Sequence, residues 1–220
     1  MSENHTMSES TGDGTAGALV SAAIAIFGRK GYDSTSTREI AAAAKTNVAS
    51  ISYHFGGKEG LRLACAKAFV AHVGALIARV ADHEVTTPSE AESMLLTLVE
   101  QFARHMIGSP EMRPLASFAL REISDAGPGI DVLYGDLIAP MHQRLCRLWA
   151  LATGEDPASE AVQIFVFSMI GQVIYFRIGA PVVTRKLGWA GVDAAGADRI
   201  ATVLKTNLAD LIATRRRFSP

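Results

Sequence analysis

The hydrophobic positions of this chain recur every three to four residues along most of its length, which predicts helices rather than strands. The first clear stripe lies in the segment 15–30 and stops at Gly31, a residue type that commonly ends a helix. Later stripes, separated by short runs rich in Gly, Pro or Thr, predict helices over residues 58–82, 88–107, 114–124, 130–152, 159–179 and 197–216. With two short helices between residues 36 and 54, we expect an all-α protein of about nine helices.

The segment 35–61 contains two short helical patterns joined by a tight turn. Ser36 and Glu39 have the spacing of a capping box, in which each side chain bonds the backbone N–H of the other residue. The first helix then carries a narrow stripe of small apolar side chains, which would let a second helix approach closely. Lys45 and Thr46 interrupt this stripe and mark the turn.

The second of these helices is predicted over Val48–His54, with Asn47 as its N-cap. Gly56 and Gly57 end it, and Lys58 opens the next helix. Its outward positions carry mostly small polar side chains, while its inward positions are apolar. This is the pattern of a helix-turn-helix whose second helix enters the DNA major groove.

The same run, TSTREIAAAAKTNVASISYHFGGKEGL, resembles the signature of the TetR/AcrR family of bacterial transcriptional regulators. The turn commonly carries Gly in that family, and here it carries Lys45, which costs roughly 1 kcal/mol if φ is positive. The resemblance implies an N-terminal three-helix DNA-binding domain and a C-terminal helical domain for ligand binding and dimerisation. The matching positions are Thr35, Ser36, Ile40, Ala41, Ala44, Asn47, Ile51, Tyr53, His54, Phe55, Lys58, Glu59 and Leu61.

The C-terminal half resembles one branch of that family, the CecR-like (YbiH-type) regulators. The likeness lies in the run 110–149 and rests on the adjacent Arg121 and Glu122, on Pro128, and on a later Ile-x-Pro ending at Pro140. We therefore expect three regions: a disordered tail at 1–14, the helix-turn-helix domain at 15–60, and the ligand-binding and dimerisation domain at 61–220.

DNA contacts are predicted at helix N-termini and on the outer face of the second helix. Phosphate contacts fall to Ser36 and Thr37 and, by the resemblance, to Tyr53, His54 and Lys58. Each base-reading candidate has an alternative interpretation as a helix cap or a solvated side chain. The base-reading candidates are Lys45, Thr46, Asn47, Ala49, Ser50 and Ser52.

The resemblance also implies a small-molecule pocket walled by the helices between residues 88 and 179. Met and aromatic side chains suit an apolar or aromatic ligand, although each has an alternative interpretation as ordinary core. His105, His142 and Arg177 are polar candidates for orienting such a ligand. The expected lining is Met94, Phe102, Met106, Met112, Phe118, Tyr134, Met141, His142, Phe165, Met169, Gln172, Tyr175 and Phe176.

Composition and charge agree with a regulator more than with an enzyme. The 220 residues carry a formal net charge of −1, yet residues 15–75 contain seven basic and three acidic side chains, about +4. A basic segment in an acidic protein suits contact with phosphate at one end. We find no Gly-rich phosphate loop, no G-x-S-x-G and no candidate carboxylate pair, and we predict no cofactor. The pair His142 and Cys146 leaves a metal site open as a weaker alternative.

These features favour a ligand-responsive, sequence-specific DNA-binding regulator: a homodimeric repressor released from a palindromic operator by a small molecule. Two distant cysteines and a polar N-terminus without a signal-peptide pattern predict a cytoplasmic protein. An activator, a regulator without an inducer, and a helical small-molecule-binding protein with a vestigial DNA head remain alternatives. The apolar segment 159–179 could also span a membrane, but its all-round apolar pattern equally fits a dimer interface, and we predict no membrane partner.

Overall fold

The protein is described by a computed structural model covering residues 6–79 and 84–218, with backbone alone at 6–13, 217 and 218. Within these residues the chain is helical and forms no strand, which confirms the predicted all-α class. Two π-helical turns, Arg104–Gly108 and Tyr134–Ile138, interrupt the α-helices. The α-helices are α1 Thr6–Lys30, α2 Thr37–Ala43, α3 Ala49–Phe55, α4 Lys58–Ala78, α5 Pro88–Ala103, α6 Met112–Ser124, α7 Ile130–Leu133, α8 Ala139–Thr153, α9 Glu160–Ile178, α10 Ala180–Leu187 and α11 Ala194–Phe218.

Two differences from the predicted helices have simple physical causes. Helix α1 begins at Thr6, so the backbone of residues 6–14 is helical, whereas a disordered tail was predicted at 1–14; residues 1–5 lie outside the described residues. Adding a residue to an existing helix costs far less than nucleating one, so the packed part of α1 can extend backwards. Helix α10 was missed because the prediction ended a helix at residue 179 and assigned no element to residues 180–185. Pro181, in the first turn of α10, lacks the N–H that a continuous helix would need.

The first compact unit contains the described part of Met1–Gly74 together with Pro114–Leu137. Its core includes fully buried Leu19, Ile40 and Ile51 from α1, α2 and α3. Phe118 of α6 joins this core, with its ring centroid 6.4 Å from that of Phe27 in α1.

This unit differs from the predicted 15–60 domain because residues distant in sequence bind to α1 and α4. Arg121 Nε donates to the Gly28 carbonyl at 2.9 Å, where the end of α1 has carbonyls without helical partners. Arg62 Nε donates to Glu122 Oε2 at 2.7 Å. The segment 114–137 therefore packs in one compact unit with α1–α4, whereas the sequence-based bounds placed it in the 61–220 region.

The second compact unit contains the described part of Ala75–Arg113 and Ile138–Pro220. One buried cluster centres on Trp149 and draws side chains from α5, α8, α9 and α11. A second lies beside the π-helical turn and includes Ile107, Val173 and Leu204. These two clusters hold α5, α8, α9 and α11 together.

The turn from α3 into α4 depends on a close backbone approach at Gly60. A Cβ at this position would lie 1.8 Å from the carbonyl oxygen of Phe55, which no side chain can accommodate without moving the backbone. Gly56, which ends α3, has φ of +71° and leads the chain into this turn. The angle between α3 and α4 is therefore set partly by the absence of a side chain at residue 60.

Replacing Gly60 by Ala is expected to lower the free energy of unfolding by about 2–4 kcal/mol and to weaken DNA binding, because the carbonyl of Phe55 must move. Gly74→Ala, on the same helix with open space around it, is the matched control and should gain up to about 1 kcal/mol. Urea unfolding midpoints and DNA affinity of both variants check this. Equal stability of the two would refute the steric argument.

Candidate DNA-binding site

Helix α3 presents one face to the core and the other to solvent. Ile51 is fully buried and fixes the helix on the core of the first unit. On the outer side, Ala49 and Ser52 are exposed, and the Tyr53 side chain is 85% exposed. The ring of His54 meets that of Tyr53 edge to face, with centroids 4.9 Å apart. The predicted base-reading face is therefore open to a DNA groove.

The turn between α2 and α3 is a Schellman motif with Lys45 at its left-handed position. Lys45 has φ of +55°. The N–H of Thr46 donates to the Ala41 carbonyl at 2.9 Å, and that of Lys45 donates to Ala42 at 3.1 Å. The strain expected from a non-glycine residue here is therefore present, and the Lys45 side chain is exposed at the edge of α3.

A small hydrogen-bonded cluster caps the start of α3. Asn47 Oδ1 accepts the backbone N–H of Ser50 at 3.0 Å, which confirms the predicted capping role. Ser50 Oγ also donates to Asn47 Oδ1 at 3.2 Å and lies 3.0 Å from Thr46 Oγ1. These three side chains hold one another in place, so their remaining donors would meet DNA from fixed positions.

The start of α2 carries half of the predicted capping box. Ser36 Oγ accepts the backbone N–H of Glu39 at 3.1 Å, as expected. The Glu39 carboxylate instead accepts from Lys30 Nζ, so the reciprocal bond to Ser36 is replaced by an ion pair with the end of α1. Ser36 is exposed and Thr37 half-buried at this helix start, where backbone N–H groups favour phosphate.

Lys58 has an internal role in addition to its predicted phosphate contact. Its Nζ donates to the Tyr32 carbonyl at 2.6 Å and lies 4.1 Å from the centroid of the Tyr32 ring. The guanidinium of Arg62 lies 4.3 Å from the same ring. Burial, followed by the Glu59 charge, raises the pKa of Tyr32, so the phenol stays neutral. The Lys58 ammonium is therefore held against Tyr32 through both its carbonyl and its ring.

Arg62 and Glu122 form a buried ion pair behind this surface. Their side chains are 10% and 2% exposed. Glu122 Oε1 also accepts the backbone N–H of Gly129 at 2.7 Å, so both carboxylate oxygens have donors. The pair fixes the first turns of α4, which follow α3 directly.

In the structure the predicted ligand-binding residues are divided between the two compact units. Phe118 and Tyr134 belong to the first compact unit, where Phe118 is core and Tyr134 is 58% exposed. Tyr175 is exposed on α9, whereas Met141 and Gln172 are half-buried. The residues that serve as packed core or lie directly against it are Met94, Phe102, Met106, Phe165 and Met169, with Met112 also buried.

His142 and Cys146 are held by neighbouring groups. His142 Nε2 lies 3.0 Å from the Gln163 carbonyl, and its ring stacks on Phe167 with centroids 4.0 Å apart. Burial raises the pKa of the Cys146 thiol, which lies 3.7 Å from His142 Nδ1. Among the described residues no group of three or more His, Cys, Asp or Glu side chains could hold a metal ion. The metal alternative therefore gains no support.

One predicted ligand residue, Phe176, does line a cleft of about 780 Å³ in the second unit, together with the polar candidate Arg177. The sequence-based prediction did not include three other charged and aromatic residues that line this cleft, Arg113, Trp189 and Arg199. They are spread over more than eighty positions of the chain, so no local pattern joins them. Helix α10 forms one wall of the cleft, so predicting this helix from the sequence would have pointed to the site.

Substitutions of Lys45 separate the backbone role of this residue from its charge. Lys45→Gly should raise the free energy of unfolding by about 1 kcal/mol by relieving the positive φ, whereas Lys45→Ala keeps the Cβ and gains nothing comparable. Both should weaken DNA binding and reduce the salt dependence of log K by about 0.9 if the ammonium contacts one phosphate. Salt titrations of affinity check this, and an unchanged slope would exclude the phosphate contact.

Comparison with known proteins places this site in a family. Residues 19–65 match the family described as bacterial regulatory proteins, tetR family. Residues 91–214 match the C-terminal domain of the HTH-type transcriptional dual regulator CecR. The chain is 32% identical over 181 residues to the HTH-type transcriptional dual regulator CecR of Shigella flexneri, covering 80% of this chain and 81% of that protein.

Solved structures of regulators share the fold. A transcriptional regulator from Rhodococcus sp. Rha1 aligns with a TM-score of 0.65 at 12% identity, covering 89% of this chain and 96% of that one. The ketosteroid transcriptional regulator KstR2 of Mycobacterium tuberculosis aligns at 0.62 and 17% identity, covering 90% and 93%. The matched families and the Shigella relative are transcriptional regulators rather than enzymes, which confirms the predicted DNA-binding regulator. The chain belongs to the TetR family of bacterial transcriptional regulators and, within it, to the CecR type.

Proposed function

We propose that this regulator is a homodimeric repressor that binds a near-palindromic operator and releases it when a small molecule binds. The observation that carries the proposal is an uncovered apolar face on α9. Ile164, Phe167, Tyr175 and Ile178 are exposed by 60%, 51%, 56% and 63%. Four large apolar side chains in one stripe mark an interaction surface, because exposing apolar surface to water is unfavourable and a partner would bury it.

Helix α11 supplies a second stripe of the same kind. Val203 is 56% exposed and Leu211 is 37% exposed. Ser168 and Gly171 lie among the exposed positions of α9 and are small enough for a partner helix to approach closely. Pairing α9 and α11 with the same helices of a second copy would form a four-helix interface about a two-fold axis.

A two-fold dimer accounts for an operator with two half-sites. Each protomer would place its own α3 in a major groove, with the two copies about one DNA turn, roughly 34 Å, or a multiple of it apart. The exposed outer face of α3 supports its placement in a major groove. An inverted repeat in the DNA then mirrors the two-fold axis of the protein.

Release by a ligand requires that the ligand bind the two conformations of the dimer with different affinity. Moving an equilibrium from 99:1 to 1:99 takes about 5.5 kcal/mol in total, which two bound ligands could share. Helix α4 is the proposed transmitter, since Lys58–Gly74 belong to the first compact unit and the remaining residues of α4 to the second. A movement of one end of α4 would then displace residues that belong to the other unit.

Activation is the second candidate, and one observation favours keeping it. The Shigella relative is described as a dual regulator. A reporter gene behind the selected operator separates the two: the proposal predicts lower expression when the regulator is present. Higher expression would establish activation instead.

We further propose a cytoplasmic location without a membrane partner. Two described helices, Lys58–Ala78 and Glu160–Ile178, are long and apolar enough to cross a membrane by length and composition alone. Core and interface helices meet the same criteria, and in a DNA-binding regulator these two helices serve packing and pairing. Recovery of the protein from the membrane fraction would contradict this location.

The dimer proposal predicts that Ile164→Glu raises the dimer dissociation constant by at least about a hundredfold, because each interface would bury an uncompensated charge. Gln143→Glu adds the same charge at an exposed position of α8 that belongs to neither apolar stripe, and should leave the dimer intact. Sedimentation equilibrium and affinity for a two-half-site DNA check both. A dimeric Ile164→Glu variant would refute the assigned interface.

A further inference from the structure

The cleft of about 780 Å³ in the second unit combines an apolar wall with a cluster of arginines. Its sides come from the π-helical turn at 104–108, the end of α9, α10, the loop 189–193 and the start of α11. The volume lies within the range that holds drug-sized ligands, about 300–1,000 Å³.

The apolar wall is fixed by the core behind it. Ile107 is almost fully buried, and Phe176, Trp189 and Val192 pack against the same buried cluster. Gly188, in the left-handed region with φ of +69°, ends α10 and turns the chain toward Trp189. These side chains give the cleft a flat, largely rigid apolar surface.

Three arginines lie in the lining, and two are oriented by contacts that the structure shows. Arg177 Nη2 donates to the Arg113 carbonyl at 3.0 Å. The guanidinium of Arg199 lies 4.3 Å from the centroid of the Trp189 ring. The third member is the side chain of Arg113 itself, at the start of α6. A guanidinium fork held in place recognises carboxylate or phosphate with little loss of side-chain entropy.

The charge balance of the cleft favours an anion. Among the lining residues Asp193 is the one carboxylate, and its Oδ1 already accepts the backbone N–H of Gly196 at 2.8 Å. Burial, followed by the Arg113 charge, lowers the pKa of Arg177. Both effects disfavour the charged form of the Arg177 guanidinium, and the negative charge of a bound anion would stabilise that form.

We propose that this cleft binds a small organic anion, namely a carboxylate or phosphate attached to an apolar body. The arginines would hold the charged group, while Phe176, Trp189 and Val192 contact the body. This inference names the chemical class of the ligand in the proposed function and rests on that function only for the effect on DNA. It adds a charged group to the apolar or aromatic ligand that the sequence predicts.

Calorimetric titration of the full-length protein with 2-naphthoate and 2-naphthyl phosphate tests the proposal. We expect saturable binding of at least one of them, with 2-naphthalenemethanol and acetate each weaker by about tenfold or more, since each lacks one half of the recognition. Neutral and anionic naphthyl compounds binding equally would overturn the role of charge. No saturable binding of either anion up to about 1 mM would overturn the proposed ligand class.

Arg177→Gln and Arg199→Gln should each weaken binding of the anion by about tenfold. Arg185→Gln, which removes an exposed arginine of α10 that does not line the cleft, is the matched control and should bind normally. Arg199→Gln also covers the case in which Arg177→Gln fails to fold, because the Arg199 side chain is exposed. Unchanged affinity in a folded Arg199→Gln variant and in any folded Arg177→Gln variant would place the anion elsewhere.

The effect on DNA is measured separately, by fluorescence anisotropy of labelled operator over a titration with the anion. Release of DNA at an anion concentration about tenfold lower for wild type than for Arg199→Gln supports both the cleft and the proposed ligand response. If the anion binds with the predicted variant pattern but leaves DNA affinity unchanged, the cleft assignment stands and the ligand-responsive repressor is refuted. The binding titration alone therefore decides the inference about the cleft.

Discussion

The buried ion pair between Arg62 and Glu122 is the interaction on which the DNA-binding unit depends. Both side chains are almost fully removed from water, and Glu122 uses its second oxygen for the N–H of Gly129. Removing one partner of such a pair leaves an uncompensated buried charge, which costs about 3–5 kcal/mol. The pair therefore explains why residues 114–137 belong to the same compact unit as the helix-turn-helix.

The ion pair also bears on the recognition helix. The Arg62 guanidinium contacts the Tyr32 ring, and Lys58 contacts both the ring and the carbonyl of Tyr32. Lys58 starts α4 immediately after the turn at which Gly60 approaches the end of α3. A continuous set of contacts thus runs from Glu122 to the exit of the DNA-reading helix. The position of α3 is set by packing, by this polar network and by a turn that excludes a side chain.

Contacts between neighbouring residues made α2, α3 and their turn predictable, whereas contacts between residues distant in sequence could not be predicted. The cap formed by Asn47 and the positive φ at Lys45 depend on a few neighbouring residues, so spacing and residue type were enough. Arg62 and Glu122 are sixty positions apart, and only the folded chain shows that they meet. The ligand site was harder to locate for a related reason, because Met and aromatic residues suit a core and a pocket equally. Met94 is core, whereas Phe176 and the polar candidate Arg177 line the cleft.

The central claim is that two exposed α3 helices read an inverted repeat. Selecting bound duplexes from a random DNA pool at moderate, fixed salt concentration tests it most directly. The account predicts enrichment of an inverted repeat whose half-sites lie about one helical turn, or a multiple of it, apart, with two protomers on each duplex. Its half-site affinity should fall when the exposed Tyr53 is replaced by Ala. A pool without any enriched motif, or a single half-site bound by one protomer, would contradict the account.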